Sequence, residues 1–112
     1  MTDTKVLPEK ARIAIIGGGI IGTSVAYHLA KRGIKDVVLI ERQQLTSGTT
    51  WHAAGLISLA WPTPTLTNLA KYSHELYASL EEETGQATGY KRIGSISLAR
   101  TEARLVEIKR TS

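Results

Sequence analysis

The sequence predicts an α/β fold in which parallel strands alternate with helices. Three features near the N-terminus predict it: a β-branched run at residues 12–17, a helical apolar pattern at residues 20–32, and a second apolar run at residues 37–40. A strand, a helix and a second strand within about 30 residues are typical of a βαβ unit, whose two strands run parallel.

Both predicted strands are short and continuously apolar, as expected of strands that are buried on both faces. The first, RIAIIG, follows a polar lead-in at residues 1–11. That lead-in has neither the apolar core of a signal peptide nor the composition of a transit peptide, so we expect a bacterial-type cytoplasmic location, or the mitochondrial matrix if the source is eukaryotic. Residues 12–112 are predicted to form one domain or part of one.

The helix between the strands is indicated by Ile21, Val25 and Leu29, which recur at helical spacing, and by Gly33, which stops it. Residues 44–64 are rich in Thr, Ser, Gly and Pro and have no clean period, which is typical of a functional loop. Beyond it, we predict an amphipathic helix at residues 66–83, a short extended pair at residues 90–92 and 95–99, and a final helix from Thr101.

Composition excludes several classes of function. The 14 Lys and Arg against 10 Asp and Glu are dispersed rather than clustered, so we predict no nucleic-acid partner. No apolar run approaches the roughly 20 residues that span a bilayer, and we predict no membrane segment. Cysteine is absent, and we predict no metal site; redox chemistry would therefore need a bound cofactor.

A glycine motif supplies the first sign of a ligand. Gly17, Gly19 and Gly22 fit the pattern G-x-G-x-x-G between a strand and a helix, and Glu41 follows 19 positions after Gly22 at the end of the next strand. Gly17 would permit the tight turn, Gly19 the approach of a pyrophosphate, and Gly22 close packing of the helix on the strand. The Glu41 carboxylate would bind the ribose hydroxyls and repel a 2′-phosphate, which argues against NADP. The pattern predicts a Rossmann-like dinucleotide-binding domain.

The glycine motif alone does not separate NAD from FAD. Ser47, Thr49 and Thr50 place hydroxyls just beyond the second strand, where a longer dinucleotide would extend, and this favours FAD. A single histidine in such a segment, His52, is more often a surface residue than a ligand. His28 and His74 have no partner at ligand spacing, so we predict structural or exposed roles for them.

Three segments resemble the sarcosine and dimethylglycine dehydrogenases, which are glycine-oxidase-like FAD-dependent amine oxidoreductases. They are IAIIGGGIIGTSVAYHLAKRGIKDVVLIER at residues 13–42, LTSGTTWHAAGL at residues 45–56 and LEEETGQATGYKRIGSISLA at residues 80–99. The resemblance implies that His52 is joined covalently to the flavin through a ring methyl group. Trp51 could shield the flavin ring or simply pack, and we favour packing. We include Ile21, Arg42, Gly55 and Leu56 in the predicted cofactor-binding set.

The resemblance also implies an activity, the oxidation of an N-methyl amine such as sarcosine or dimethylglycine by hydride transfer to the flavin. The one-carbon product would leave as formaldehyde or pass to tetrahydrofolate, and an acceptor flavoprotein would take the electrons. No catalytic base or carboxylate-binding arginine is identifiable in these residues. Because members of the family are several times longer, we expect an N-terminal part of such a protein, with its sheet incomplete and its substrate and folate regions absent.

Two alternatives remain open from the sequence. The regulatory subunit of pyruvate dehydrogenase phosphatase resembles the chain over the glycine turn and the TGY…GSI…LA segment, and it is not an enzyme. The resemblance implies that this relative lacks the Trp-His pair, so the presence of His52 distinguishes the enzyme hypothesis from the regulatory one. A small free-standing NAD- or FAD-binding module is the other alternative, and it would require the fold to close within 112 residues.

Overall fold

A computed structural model describes residues 8–59 and 61–111 of the chain. Its elements, in chain order, are β1 (Ile13–Ile16), α1 (Ile20–Lys31), β2 (Val37–Ile40), a 3-10 turn (Thr49–His52), α2 (Pro64–Thr84) and α3 (Glu102–Thr111). The chain divides into two compact units, Met1–Ala54 and Gly55–Ser112.

The first unit is the predicted βαβ arrangement. Strands β1 and β2 pair in parallel, with Ile13 opposite Val37 and Ile16 opposite Ile40. Helix α1 connects them, as a parallel pair requires. It begins directly after Gly19 and is followed by Gly33, which has a φ of 77° and whose N–H donates to the Ala30 carbonyl at 2.9 Å. The predicted order of strand, helix and strand is therefore confirmed.

The prediction that the strands are buried on both faces is wrong for this unit. Ile15 is 9% exposed, whereas the next residue, Ile16, is 88% exposed. Successive strand side chains point to opposite faces, and within this unit the described helix, α1, covers one of them. An apolar strand sequence indicates that such strands are usually buried on both faces. It does not show whether the described residues of this unit bury the second face.

The second unit contains the two remaining helices. Helix α2 begins two residues earlier than predicted, because the Thr63 hydroxyl caps it by accepting from the Leu66 N–H at 3.3 Å and Pro64 occupies the first turn. It ends at Gly85, where φ is 71°. The predicted start of α3 is confirmed, since the Arg104 N–H donates to the Thr101 hydroxyl at 3.3 Å.

The predicted extended pair at residues 90–92 and 95–99 is wrong. Neither segment forms a strand, and Ile96 and Leu98 are 91% and 82% exposed. A two-stranded hairpin is marginally stable unless it packs on further strands or a helix. Among the described residues of this unit, Ala70 is the one buried hydrophobic residue, so the alternating side chains have no core to face.

None of the helices in residues 8–59 and 61–111 is both long and apolar enough to cross a bilayer.

Candidate dinucleotide site

The glycine turn between β1 and α1 has the geometry that its spacing predicts. Gly17 has a φ of 102°, which favours glycine, and its N–H donates to the Ile40 carbonyl of β2 at 2.8 Å. A Cβ at Gly22 would lie less than 3.0 Å from the Gly17 carbonyl oxygen, and 3.4 Å from Ile15 Cγ2. Helix α1 therefore packs on the turn at a distance that only glycine at position 22 allows.

The Glu41 side chain contacts this turn through its carboxylate. One carboxylate oxygen accepts from the Gly18 N–H at 2.7 Å, and the other accepts from the Gln43 N–H at 2.9 Å. These hydrogen bonds, that of Gly18 first, hold the pKa of Glu41 below its ordinary value. A carboxylate has about four acceptor positions, so both oxygens can still accept from the two hydroxyls of a ribose.

Gly18 is a site residue that the sequence reasoning missed. A Cβ there would lie 2.5 Å from Leu45 Cδ2 and 3.1 Å from Glu41 Cβ. Position 18 is one of the variable positions of the glycine motif, so the motif itself gives no reason for glycine. The available signal was the run of three consecutive glycines at residues 17–19.

A compact turn over residues 45–52 lies against the glycine turn. The Thr46 N–H donates to the Gly18 carbonyl at 2.9 Å, and the Trp51 N–H donates to the Thr46 carbonyl at 3.0 Å. The Thr50 hydroxyl thereby reaches the start of α1 and accepts from the Ile20 N–H at 2.9 Å. The stretch predicted to lack regular structure thus contains a 3-10 turn, and it brings Thr50 to the first turn of α1, while a phosphate contact of Thr50 stays a prediction.

The other predicted residues of this turn have different surroundings. The Ser47 hydroxyl donates to the Gln44 carbonyl at 2.8 Å, so it closes its own turn. Thr49 begins the 3-10 turn. His52 ends it, exposed to solvent, with Nδ1 3.0 Å from the Gly48 carbonyl oxygen. Because a carbonyl only accepts, Nδ1 is the donor of this hydrogen bond, and in a neutral imidazole Nε2 is then the nitrogen that carries the lone pair.

The remaining predicted residues, those of the cofactor-binding set and Trp51, lie partly in the first unit and partly in the second. Ile21 is 78% exposed in the first turn of α1, and Arg42 is an exposed residue directly after Glu41. Trp51 is 77% exposed, so the prediction that it packs is wrong for the described chain. Gly55 and Leu56 belong to the second unit, where Leu56 is 90% exposed. Their part in cofactor binding stays a prediction.

The two other histidines form hydrogen bonds within the chain. His28 Nδ1 lies 2.7 Å from the Ser24 carbonyl oxygen one helical turn earlier. His74 Nδ1 forms a hydrogen bond with the Tyr90 hydroxyl, and its Nε2 is buried without a partner. Within the part of the chain that the structure describes, no group of His, Asp or Glu side chains could hold a metal ion.

These residues fit the adenosine diphosphate half of a dinucleotide. The first turn of α1 leaves backbone N–H groups without partners inside the helix, and its positive end favours phosphate. The missing side chains at Gly18 and Gly22 let Leu45 and the Gly17 carbonyl pack closely around the turn, and the Glu41 carboxylate keeps acceptor positions that a ribose could use. The profile of a protein family described as "FAD dependent oxidoreductase" matches residues 12–111. The chain belongs to this family.

Curated members related to this FAD-dependent oxidoreductase chain include two dehydrogenases and a regulatory protein. The mitochondrial dimethylglycine dehydrogenase of Homo sapiens is 52% identical over 101 residues, which cover 90% of the chain and 12% of the relative. The mitochondrial sarcosine dehydrogenase of Homo sapiens is 43% identical over 108 residues, 96% of the chain and 12% of the relative. The mitochondrial pyruvate dehydrogenase phosphatase regulatory subunit of Mus musculus is 52% identical over 104 residues, 93% of the chain and 12% of the relative.

A solved structure supports the same family assignment. The crystal structure of L-proline dehydrogenase from P. horikoshii superimposes with a TM-score of 0.84 at 34% identity, over 94% of this chain and 27% of that chain. The predicted relationship to the dimethylglycine and sarcosine dehydrogenases and the predicted α/β fold are therefore confirmed. The chain spans 12% of the length of the curated relatives.

We expect the glycine turn to weaken in acid because Glu41 titrates. Its pKa is lowered in the folded chain, so its contribution to stability is complete above the ordinary value of 4.5 and is lost as the pH falls through the lower folded value. Urea unfolding at about pH 7 and about pH 3.5 measures this loss. Glu41→Gln should show a smaller loss than the unmodified chain, and FAD binding several-fold weaker at neutral pH. An identical acid loss in both proteins would contradict the role of Glu41.

Proposed function

We propose that this chain is the FAD-binding part of an amine oxidoreductase that oxidatively demethylates sarcosine or dimethylglycine. The observation that carries the proposal is the 3-10 turn of residues 49–52. It joins the Thr50 hydroxyl, which accepts from the first N–H of α1, to His52, whose neutral imidazole would carry its lone pair on Nε2 because Nδ1 lies at the Gly48 carbonyl. One short turn thus supplies a polar contact at the phosphate end of the site and a nucleophilic nitrogen two residues further along.

Each part of the site has one task in this proposal. The N-terminal N–H groups of α1 would bind the pyrophosphate, and Glu41 would accept hydrogen bonds from the adenosine ribose. His52 would hold the flavin covalently through a ring methyl group, because in a neutral imidazole the hydrogen bond from Nδ1–H to the Gly48 carbonyl favours the tautomer whose lone pair lies on Nε2. When bound, FAD supplies the hydride-accepting chemistry, and the protein supplies binding and orientation.

The remaining partners of the reaction rest on the relatives. We propose an N-methyl amine as the substrate, formaldehyde or a one-carbon derivative of tetrahydrofolate as the product, and an acceptor flavoprotein for the electrons. The three relatives named above all carry the word "mitochondrial" in their names, which supports the matrix as the location if the source is eukaryotic. For a bacterial source the proposal is the cytoplasm.

A second candidate function is a non-catalytic regulatory role. It is favoured by the mouse phosphatase regulatory subunit, which matches the chain at the same 52% identity as the human dimethylglycine dehydrogenase. A shared FAD fold does not by itself supply the oxidation, so identity over this part of the chain does not separate the two candidates. His52 separates them, because a regulatory protein does not require a flavin-linking histidine.

A chimera tests the proposed function directly. The matching segment of human dimethylglycine dehydrogenase is replaced with this chain, and a control chimera receives the corresponding segment of the mouse regulatory subunit. We expect the first chimera to retain flavin and to release formaldehyde from dimethylglycine, and the control to lose both. A first chimera that folds and binds FAD, yet reduces no flavin when dimethylglycine is added, would favour the regulatory candidate.

A further inference from the structure

Thr46 has an unusual backbone for its residue type. Its φ is 68°, and among the described residues it is the one residue other than glycine with a positive φ. This left-handed region is costly for a β-branched side chain, because the branched Cβ crowds the neighbouring carbonyl groups. Such strain persists where the surrounding contacts impose it, and those contacts often lie at functional sites.

The contacts of Thr46 connect two parts of the candidate site. The hydrogen bonds that the structure describes for this residue are made by its backbone: its N–H donates to the Gly18 carbonyl at 2.9 Å, and its carbonyl accepts from the Trp51 N–H at 3.0 Å. Gly18 in turn donates to the Glu41 carboxylate at 2.7 Å. Thr46 therefore links the ribose-binding side of the glycine turn to the turn that carries Thr50 and His52.

Reversing the sign of φ at Thr46 would break this connection. The chain direction after residue 46 is set by that dihedral angle, so a right-handed or extended residue would carry the 3-10 turn away from α1. The 2.9 Å hydrogen bond between the Thr50 hydroxyl and the Ile20 N–H depends on that direction, although the two residues lie 30 positions apart in the sequence.

We propose that Thr46 is a positioning residue for cofactor binding: its left-handed backbone holds the turn of residues 47–52 across the start of α1. Its hydroxyl has no part in this role. The inference rests on the proposed FAD site, and it adds a residue that lies outside the predicted binding set. The backbone geometry, not the threonine side chain, is what the site requires.

Three variants of the full chain separate backbone from side chain. Thr46→Gly removes the steric conflict, Thr46→Val retains β-branching without the hydroxyl, and Thr46→Pro excludes a positive φ and removes the N–H. Hydrogen exchange at the Trp51 amide reports the turn without any cofactor, and amides within α1 report whether the unit is folded. Fluorescence titration with FAD reports the binding site.

The three variants should differ in their effect on the exchange rate of the Trp51 amide. Thr46→Gly should slow exchange at Trp51 about three- to tenfold, because glycine adopts this φ without strain. Thr46→Val should stay within about twofold of the unmodified chain in both measurements, as changes that alter no contact usually do. Thr46→Pro should abolish the protection of Trp51, preserve that of α1, and weaken FAD binding about tenfold, the scale of one lost hydrogen bond.

The outcomes that would overturn the proposal are equally specific. Faster exchange at Trp51 in Thr46→Gly would show that residue 46 is not held in the left-handed region. A loss of FAD affinity in Thr46→Val equal to that in Thr46→Pro would assign the role to the hydroxyl. Failure of the unmodified chain to bind FAD would count against the proposed function, whereas the exchange of Trp51 in Thr46→Gly would still decide the positioning role.

Discussion

Gly22→Ala should abolish FAD binding and destabilise the first unit by about 3 kcal/mol, the upper end of the usual range for overpacking. The added Cβ would lie less than 3.0 Å from the Gly17 carbonyl oxygen. A backbone atom cannot move aside as the end of a flexible side chain can. Either α1 tilts away from β1 or the glycine turn opens, and both changes disperse the N–H groups that would bind phosphate. Urea unfolding measures the free energy, and fluorescence titration measures FAD binding.

Gly19→Ala is the matched control. Gly19 has a φ of −79° and a ψ of −173°, which any residue can adopt, and its added Cβ would meet a single side-chain atom, the Thr50 hydroxyl, at 2.9 Å. That hydroxyl can rotate, so we expect a loss of about 1 kcal/mol or less in unfolding free energy, together with weaker FAD binding. If Gly22→Ala and Gly19→Ala lost stability equally, close packing of α1 on the turn would not be the role of Gly22.

This pair of glycines shows which parts of the site could be predicted from the sequence. The roles of Gly17 and Gly22 depend on neighbours a few residues away, and the tight turn and the close packing at these two positions are confirmed. The order of β1, α1 and β2 follows equally local patterns. Gly18 was missed, because the need for glycine there comes from Leu45 and Glu41, more than 20 residues later in the chain.

The wrong predictions have a related physical origin. Alternating residues at 95–98 predicted a strand, and continuous apolar residues in β1 predicted burial on both faces. Both patterns indicate side chains that favour packing against other strands or helices. Whether such a neighbouring element is present depends on the tertiary structure and not on the local sequence. Ile16 and Ile96 are therefore exposed despite strand-like sequences. The hydrogen bond from the Ile20 N–H to the Thr50 hydroxyl could not be predicted from local patterns either, because the two residues lie 30 positions apart.

His52→Ala should convert a covalently held flavin into a reversibly bound one. In a chimera with human dimethylglycine dehydrogenase, we expect yellow flavin to remain with the acid-precipitated polypeptide when His52 is present, and to be released entirely into the supernatant by His52→Ala. The variant loses Nε2, the nitrogen that carries the lone pair in a neutral imidazole when Nδ1 donates to the Gly48 carbonyl at 3.0 Å. Absorbance of the pellet and of the supernatant after precipitation measures the distribution.

Reversible binding should survive the same substitution. The phosphate and ribose contacts of α1 and Glu41 do not involve His52, and the one described hydrogen bond that disappears, to Gly48, contributes about 1 kcal/mol. We therefore expect at most a tenfold loss of FAD affinity. His28→Gln is the control, because that imidazole bonds to the Ser24 carbonyl within α1 and should leave attachment unchanged. Free flavin in the supernatant of the unmodified chimera, or acid-stable flavin in His52→Ala, would refute the covalent role and move the proposal towards the regulatory candidate.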